Sequence, residues 1–216
     1  AIHSIIDGYT REAGVRTLER TFAKVMRKAA VKITEGYTGK ISVKPTGLEA
    51  YLGPKKYKPE SQGHKDEVGV VNGLAWTSVG GEMLKVEAVK MPGTGKLELT
   101  GSLGDVMKES ARTAYSYIRS ISEALPLDMD FYKNTDIHIH FPEGAVPKDG
   151  PSAGIAITTA VVSALTGIPV RADIAMTGEV TLTGNVLPIG GLKEKTMAAY
   201  RNGIKTVLIP EENVSD

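Results

Sequence analysis

The chain contains no cysteine. That removes disulfide frameworks, thiolate nucleophiles and cysteine-based zinc sites together. Charge of one sign is also missing: the formal net charge is +1 over 216 residues, which gives no electrostatic footprint for nucleic acid. No apolar run reaches the roughly 20 residues of a membrane-spanning helix, so no membrane partner is expected. The opening Ala1-Ile2-His3-Ser4 has no charged-then-apolar leader, and the expected compartment is the cytoplasm. His-Glu-x-x-His is absent, as is Ser-x-x-Lys after every serine, which sets aside zincin and β-lactamase chemistry. What remains is an ordinary globular composition, 41% hydrophobic and 24% charged, long enough for one to two domains.

The most informative stretch is Pro147-Lys148-Asp149-Gly150-Pro151-Ser152-Ala153-Gly154. Ser152 lies in a Gly/Pro-punctuated turn that opens the apolar run Ile155 to Leu165. A hydroxyl at a tight turn before a helix is exposed beside unpaired backbone N–H donors. Gly150-x-Ser152-x-Gly154 also fits a nucleophile elbow, but that fold places its histidine after the serine. All four histidines, His3, His64, His138 and His140, precede Ser152. His138 and His140 alternate with Ile137, Ile139 and Phe141 in a strand pattern, which points both imidazoles to one face. With no third clustered ligand, packing or hydrogen bonding is favoured there over a metal, and no metal site is expected.

A histidine-first order stays open, disfavoured by the strand pattern around His138 and His140, and elimination otherwise leaves lysine as the base. An ordinary lysine has a pKa near ~10.4, so only about 0.1% is neutral at pH 7.4. Burial without a permanent anion lowers that by about 3 units or more. Lys195 has the setting for it, following the apolar Val186-Leu187-Pro188-Ile189 in a helix opened by Gly190-Gly191. Leu192, Ala198 and Ala199 supply its packing face. Lys193 points elsewhere and is solvated.

The pattern divides the chain into a small helical part, residues 1–60, and a larger part, residues 67–216, of mixed strands and helices; the fold class is α+β, α/β-like. Val15, Leu18, Phe22, Val25, Met26, Ala29 and Ile33 form one helical stripe ended by Gly36. A short strand Ile41 to Val43 is expected next. Thr46-Gly47-Leu48-Glu49 then reads as a capping box opening a helix to Leu52. Pro54 through Glu67 reads as a linker. In the larger part, strands are expected over Val68 to Thr77, Met83 to Met91, Leu97 to Thr100, Thr135 to Phe141, Ile174 to Thr181, Asn185 to Ile189 and Thr206 to Ile209. Helices are expected over Leu103 to Leu125, Ser152 to Gly167 and around Lys195. Pro92-Gly93-Thr94-Gly95-Lys96 is not a phosphate loop, since the earlier glycine falls on Lys90 and the following Ser/Thr is Leu97. It reads as a hairpin turn joining its flanking strands.

Pro147 to Gly154, Thr177-Gly178-Glu179-Val180 and Gly190-Gly191-Leu192-Lys193-Glu194-Lys195 together resemble the proteolytic domain of the Lon protease family, across nearly the whole chain. The resemblance implies a serine–lysine dyad, Ser152 as nucleophile and Lys195 as general base. Thr177 matches the hydroxyl that hydrogen-bonds the lysine. Asp149 matches an acid that can pair with the lysine and hold the site inactive. Glu87, His138, His140 and Glu179 match polar positions lining or bracing the site, and Trp76 a residue beside the substrate groove. Tyr9 to Arg16 resembles the second sensor of AAA+ ATPases, implying that residues 1 to about 60 are a lid subdomain and that Arg16 reaches ATP phosphates. The family further implies unfolded polypeptides as substrates and a homo-hexamer. ATP and Mg are expected only for a longer protein, and no cofactor for peptide hydrolysis by this chain. The rival reading is a catalytically silent ring-assembly or partner-binding domain. Lys55-Lys56-Tyr57-Lys58 leaves DNA as a weak secondary partner, better read as solvated linker.

Overall fold

The computed structural model describes residues 1–57, 65–128, 130–144 and 146–216. It divides into two compact units, Ala1–Gln62 and Gly63–Asp216. Half of the expected linker, residues 58–64, lies outside the described residues.

The first unit is helical: α1 (Ile2–Tyr9), α2 (Arg16–Thr34) and α3 (Leu48–Leu52). Ile5, Tyr9 and Leu48 form its buried centre, with Leu18, Phe22, Val43 and Leu52 packed against them. Only part of the expected stripe is used: Val25 is buried while Val15, Met26 and Ile33 are exposed. Two short helices cannot cover all five turns of α2. Glu12 does the capping at its start, its carboxylate accepting from the amides of Thr17 (2.8 Å) and Leu18 (2.9 Å). At its end the Gly36 amide reaches Ile33 O and the Tyr37 amide reaches Lys32 O, with Gly36 at φ 96°. That is a Schellman closure, which favours glycine at the left-handed position.

Two expectations fail in this unit. Residues 41–43 form no strand, having no ladder partner among the described residues. Thr46 does not cap α3, because Pro45 begins a 3-10 turn (Pro45–Gly47) that takes Thr46 into the helical path and leaves Gly47 at the cap.

The second unit is α+β. Its elements in chain order are β1 (Val70–Thr77), β2 (Gly80–Pro92), β3 (Leu97–Thr100), α4 (Asp105–Ser120), α5 (Phe131–Asn134), β4 (Thr135–His140), α6 (Gly154–Thr166), β5 (Ile174–Met176), β6 (Glu179–Val180), β7 (Val186–Leu187), α7 (Leu192–Arg201) and β8 (Thr206–Leu208). Six strands form a mixed sheet in the order β3-β4-β2-β1-β5-β8, while β6 and β7 form a separate ribbon. Alternation along the strands puts Val71, Val86, Ile137 and Ile139 on one face, buried against Ala156, Ile157, Ala160 and Val161 of α6 and Ala111, Ala114 and Ile118 of α4. Leu74, Met83 and Ala175 point to the opposite face, against Ala199 and Ile204 from α7 and its exit. Helix α6 is apolar nearly all round, as befits a helix enclosed between a sheet and another helix.

The stretch Pro92 to Lys96 is a turn but not a two-strand hairpin, because β4 inserts between β2 and β3 and pairs with both. Asp136 at the start of β4 organises it, accepting from the amides of Thr94 (2.7 Å) and Lys96 (2.8 Å). The expected single strand from Ile174 to Thr181 is broken at Thr177-Gly178, where the chain leaves the main sheet. That break positions the site.

Candidate active site

Ser152 sits in the turn before α6, half-buried. The helix's N-cap is Ala153, with no side-chain capping bond, so the Ser152 hydroxyl is not consumed as a cap. Its carbonyl holds the turn instead, accepting from the Gly178 amide (2.8 Å) and from Thr177 Oγ1 (3.3 Å). Gly178 O accepts in return from the Ile155 amide (3.1 Å). A Cβ at Gly154 would stand 2.7 Å from the Val180 nitrogen, so glycine lets the turn and the Thr177 segment approach. Buried Ser110, on the inner face of α4, donates to Pro151 O (3.3 Å). Sequence reasoning missed Ser110, although its place among Met107, Ala111 and Ala114 on the packed face was a signal.

Lys195 lies one turn into α7 and is 3% exposed, beside Ala198 and Ala199 at 2% and 1%. Its Nζ donates to Thr177 Oγ1 at 3.2 Å. Burial alone lowers its pKa from 10.5 to about 8. Thr177 is 1% exposed, and its amide donates to Leu208 O (3.1 Å). The Thr177 hydroxyl therefore accepts from the amine and spends its single proton on the Ser152 carbonyl. Serine turn and lysine helix meet through that one side chain.

Asp149 faces elsewhere. Its Oδ1 accepts from the amides of Met107 and Gly150, each at 2.9 Å. It thus caps α4 from across the chain, where the helix's own cap residue, Gly104, has no side chain. A carboxylate suits that helix end. His138 Nε2 and His140 Nδ1 share the Thr100 hydroxyl at 2.9 and 2.7 Å, and Glu87 is the register partner of His140. Among the described residues no hydrogen bond or ion pair joins Glu87, His138 or His140 to Ser152 or Lys195. Glu179 is half-buried in β6, opposite Leu187. Trp76, 60% exposed, is in β1 opposite Gly81. Arg16, in the other unit, opens α2 and is exposed.

Beside Thr177 runs a groove of about 590 Å3 walled by Ile155, Val186, Leu187, Leu208 and Pro210, with Glu211 and Glu212 at its border. Nearby, β1 pairs with β5 at Asn72 and Gly73 and runs on to Thr77 beyond the end of β5. Among the described residues no group of three or more His, Cys, Asp or Glu side chains is placed to hold a metal ion. The glycine turn Gly93 to Lys96 does not fit a nucleotide phosphate either. Its amides are already engaged by Asn134 O and the Asp136 carboxylate, an anion in the place a phosphate would need.

Comparison with known proteins identifies the family. Residues 42–216 match the Lon protease (S16) C-terminal proteolytic domain, and residues 1–41 the Lon protease AAA+ ATPase lid domain. The chain is 60% identical over its full length to Lon protease of Finegoldia magna and 56% identical to that of Clostridium acetobutylicum. It is 57% identical, over 99% of its length, to that of Aquifex aeolicus. It spans 27 to 28% of the length of these relatives. The buried lysine, the serine turn it is tied to and these matches together establish that the chain belongs to the Lon protease family.

Proposed function

We propose that the chain is a serine endopeptidase unit in which Ser152 is the nucleophile and Lys195 the general base. The observation that carries this is the burial of one lysine, at 3% exposure, with its amine hydrogen-bonded to the residue that ties down the serine turn. With a pKa of about 8, roughly a quarter of the amine is neutral at pH 7.5, against about 0.1% for an ordinary lysine. Thr177 takes one N–H and so restricts where the lone pair points.

In the reaction, the neutral amine takes the Ser152 Oγ proton as the oxygen attacks the peptide carbonyl. Negative charge develops on the carbonyl oxygen. The Gly154 and Ile155 amides are occupied by Pro151 O and Gly178 O, which leaves the amides of Ser152 and Ala153 as oxyanion donors. Collapse breaks the C–N bond, and the Lys195 ammonium gives its proton to the departing amine. Water then attacks the acyl-serine ester with Lys195 again as base, releasing the acid and restoring the hydroxyl.

The overhang of β1 from Leu74 to Thr77 suits an extended substrate adding as a strand, which recognises main chain rather than sequence. Unfolded polypeptides are the matching substrate class. The lid-domain match and Arg16 extend the reading to a longer cytoplasmic ATP-dependent protease, a homo-hexamer whose nucleotide-binding core and Mg site lie outside this chain, with Arg16 reaching the ATP phosphates. The test is a pH–rate profile for cleavage of an unstructured peptide. Ser152→Ala and Lys195→Gln each abolish turnover with the fold retained, and turnover in the parent rises through about pH 8. Undiminished cleavage by either variant refutes the dyad.

A further inference from the structure

The first turn of α7 is held by two residues that face each other across the β1–β2 hairpin, Trp76 and Gly81. A Cβ built at Gly81 would lie 1.8 Å from the Glu194 carbonyl oxygen and 2.9 Å from the Lys195 nitrogen. Such separations are available only to a residue without a side chain, so β2 lies directly on the backbone that carries the lysine. Trp76 meets the same turn from the next strand. A Cβ at Gly191 would be 2.9 Å from the Trp76 ring carbon Cγ and 3.0 Å from its Cβ, and Gly191 also has φ 70°. Both glycines, one on each element, therefore serve one close approach.

We infer that Trp76 and Gly81 form a clamp that positions Lys195 and keeps water from its amine. They are positioning residues, and the inference rests on the reading of Lys195 as base. Charged groups on the packed elements do not replace the clamp. Lys85 and Glu87 on the α7-facing side of β2, and Lys193, Glu194 and Arg201 on α7, surround this region in sequence, yet burial is the sole cause behind the lowered lysine pKa. A side chain at position 81 pushes the helix outward, hydrates the amine and returns its pKa toward the ordinary value.

The experiment follows the Lys195 titration by NMR in this chain with isotope-labelled lysine, assigned by Lys195→Gln, beside the pH profile of peptide cleavage. Gly81→Ala raises the Lys195 midpoint by about one pH unit and lowers cleavage at pH 7 about tenfold, with recovery at high pH. Trp76→Ala moves both in the same direction and carries the test if Gly81→Ala does not fold. Gly73→Ala is the control. Its Cβ would crowd Leu84 O at 3.1 Å and Ala156 Cβ at 3.4 Å, so it loosens the same hairpin away from α7. It lowers the melting temperature and leaves the midpoint in place. An unmoved midpoint in both clamp variants, or an equal shift in Gly73→Ala, overturns the clamp. A shifted midpoint with cleavage indifferent to Lys195→Gln upholds the clamp and refutes the base assignment instead.

Discussion

Lys195 Nζ stands 3.2 Å from Thr177 Oγ1, and both side chains are almost wholly enclosed. The threonine is the amine's hydrogen-bond acceptor and, through the Ser152 carbonyl, its link to the Ser152 turn. Thr177→Val removes the acceptor while keeping the shape. A hydroxyl accepting from the amine favours the ammonium, so its loss lowers the lysine pKa further. The expected outcome is a drop of at least tenfold in peptide cleavage, with the acid limb of the profile moving to lower pH. Thr177→Ser retains most of the rate. A limb that moves to higher pH contradicts the role given to this hydroxyl.

Burying Lys195 costs stability whenever it is charged. Its folded pKa of about 8 lies below the ordinary 10.5, so the unfolded chain binds more protons between those values and stability rises with pH across that window. Lys195→Met removes the cost. The variant is more stable than the parent below pH 8, by roughly 3 kcal/mol at most, and the difference closes as pH passes 10.5. Urea unfolding of both proteins at pH 7 and pH 10.5 measures it.

Asp149 holds the amides of Met107 and Gly150 rather than an amine. Asp149→Ala accordingly destabilises the fold by about 1 kcal/mol, the usual range for a lost helix cap, while Asp149→Asn retains an acceptor oxygen and loses less. If Asp149 also swings to Lys195 and silences it, Asp149→Asn raises cleavage at neutral pH. An unchanged profile leaves the residue a purely structural cap.

Far from the site, Ser163 Oγ accepts from the Gly69 amide (2.9 Å) and donates to Ile168 O. Gly69, at φ 76°, is pressed against the Ala88 carbonyl and opens β1. Ser163→Ala leaves that amide without its partner and costs about 1–3 kcal/mol. Thermal unfolding shows the loss, with catalytic constants unaffected on the remaining folded protein.

The serine turn, the lysine helix and most strands were legible because their signals are local: a Gly/Pro turn before an apolar run, a glycine pair before a helix, alternation along Thr135 to His140. What escaped was non-local. Nothing near Pro92 to Lys96 announces that β4 will enter between its flanking strands, since the insertion is secured by Asp136, some forty residues downstream. Likewise the break at Thr177-Gly178 follows from bonds to Ser152, Ile155 and Leu208, which a window along the sequence does not join. The overlong stripe on α2 failed for a third reason. Periodicity shows which residues line a face, not how much neighbouring chain exists to cover it.

That same break dictates when the site comes into being. The amide of Thr177 is anchored to Leu208 in β8, the last strand of the described sheet. A polypeptide still being synthesised has its serine long before it has that anchor. The break at Thr177-Gly178 therefore takes its observed geometry only once residues as far along the chain as Leu208 have joined the sheet.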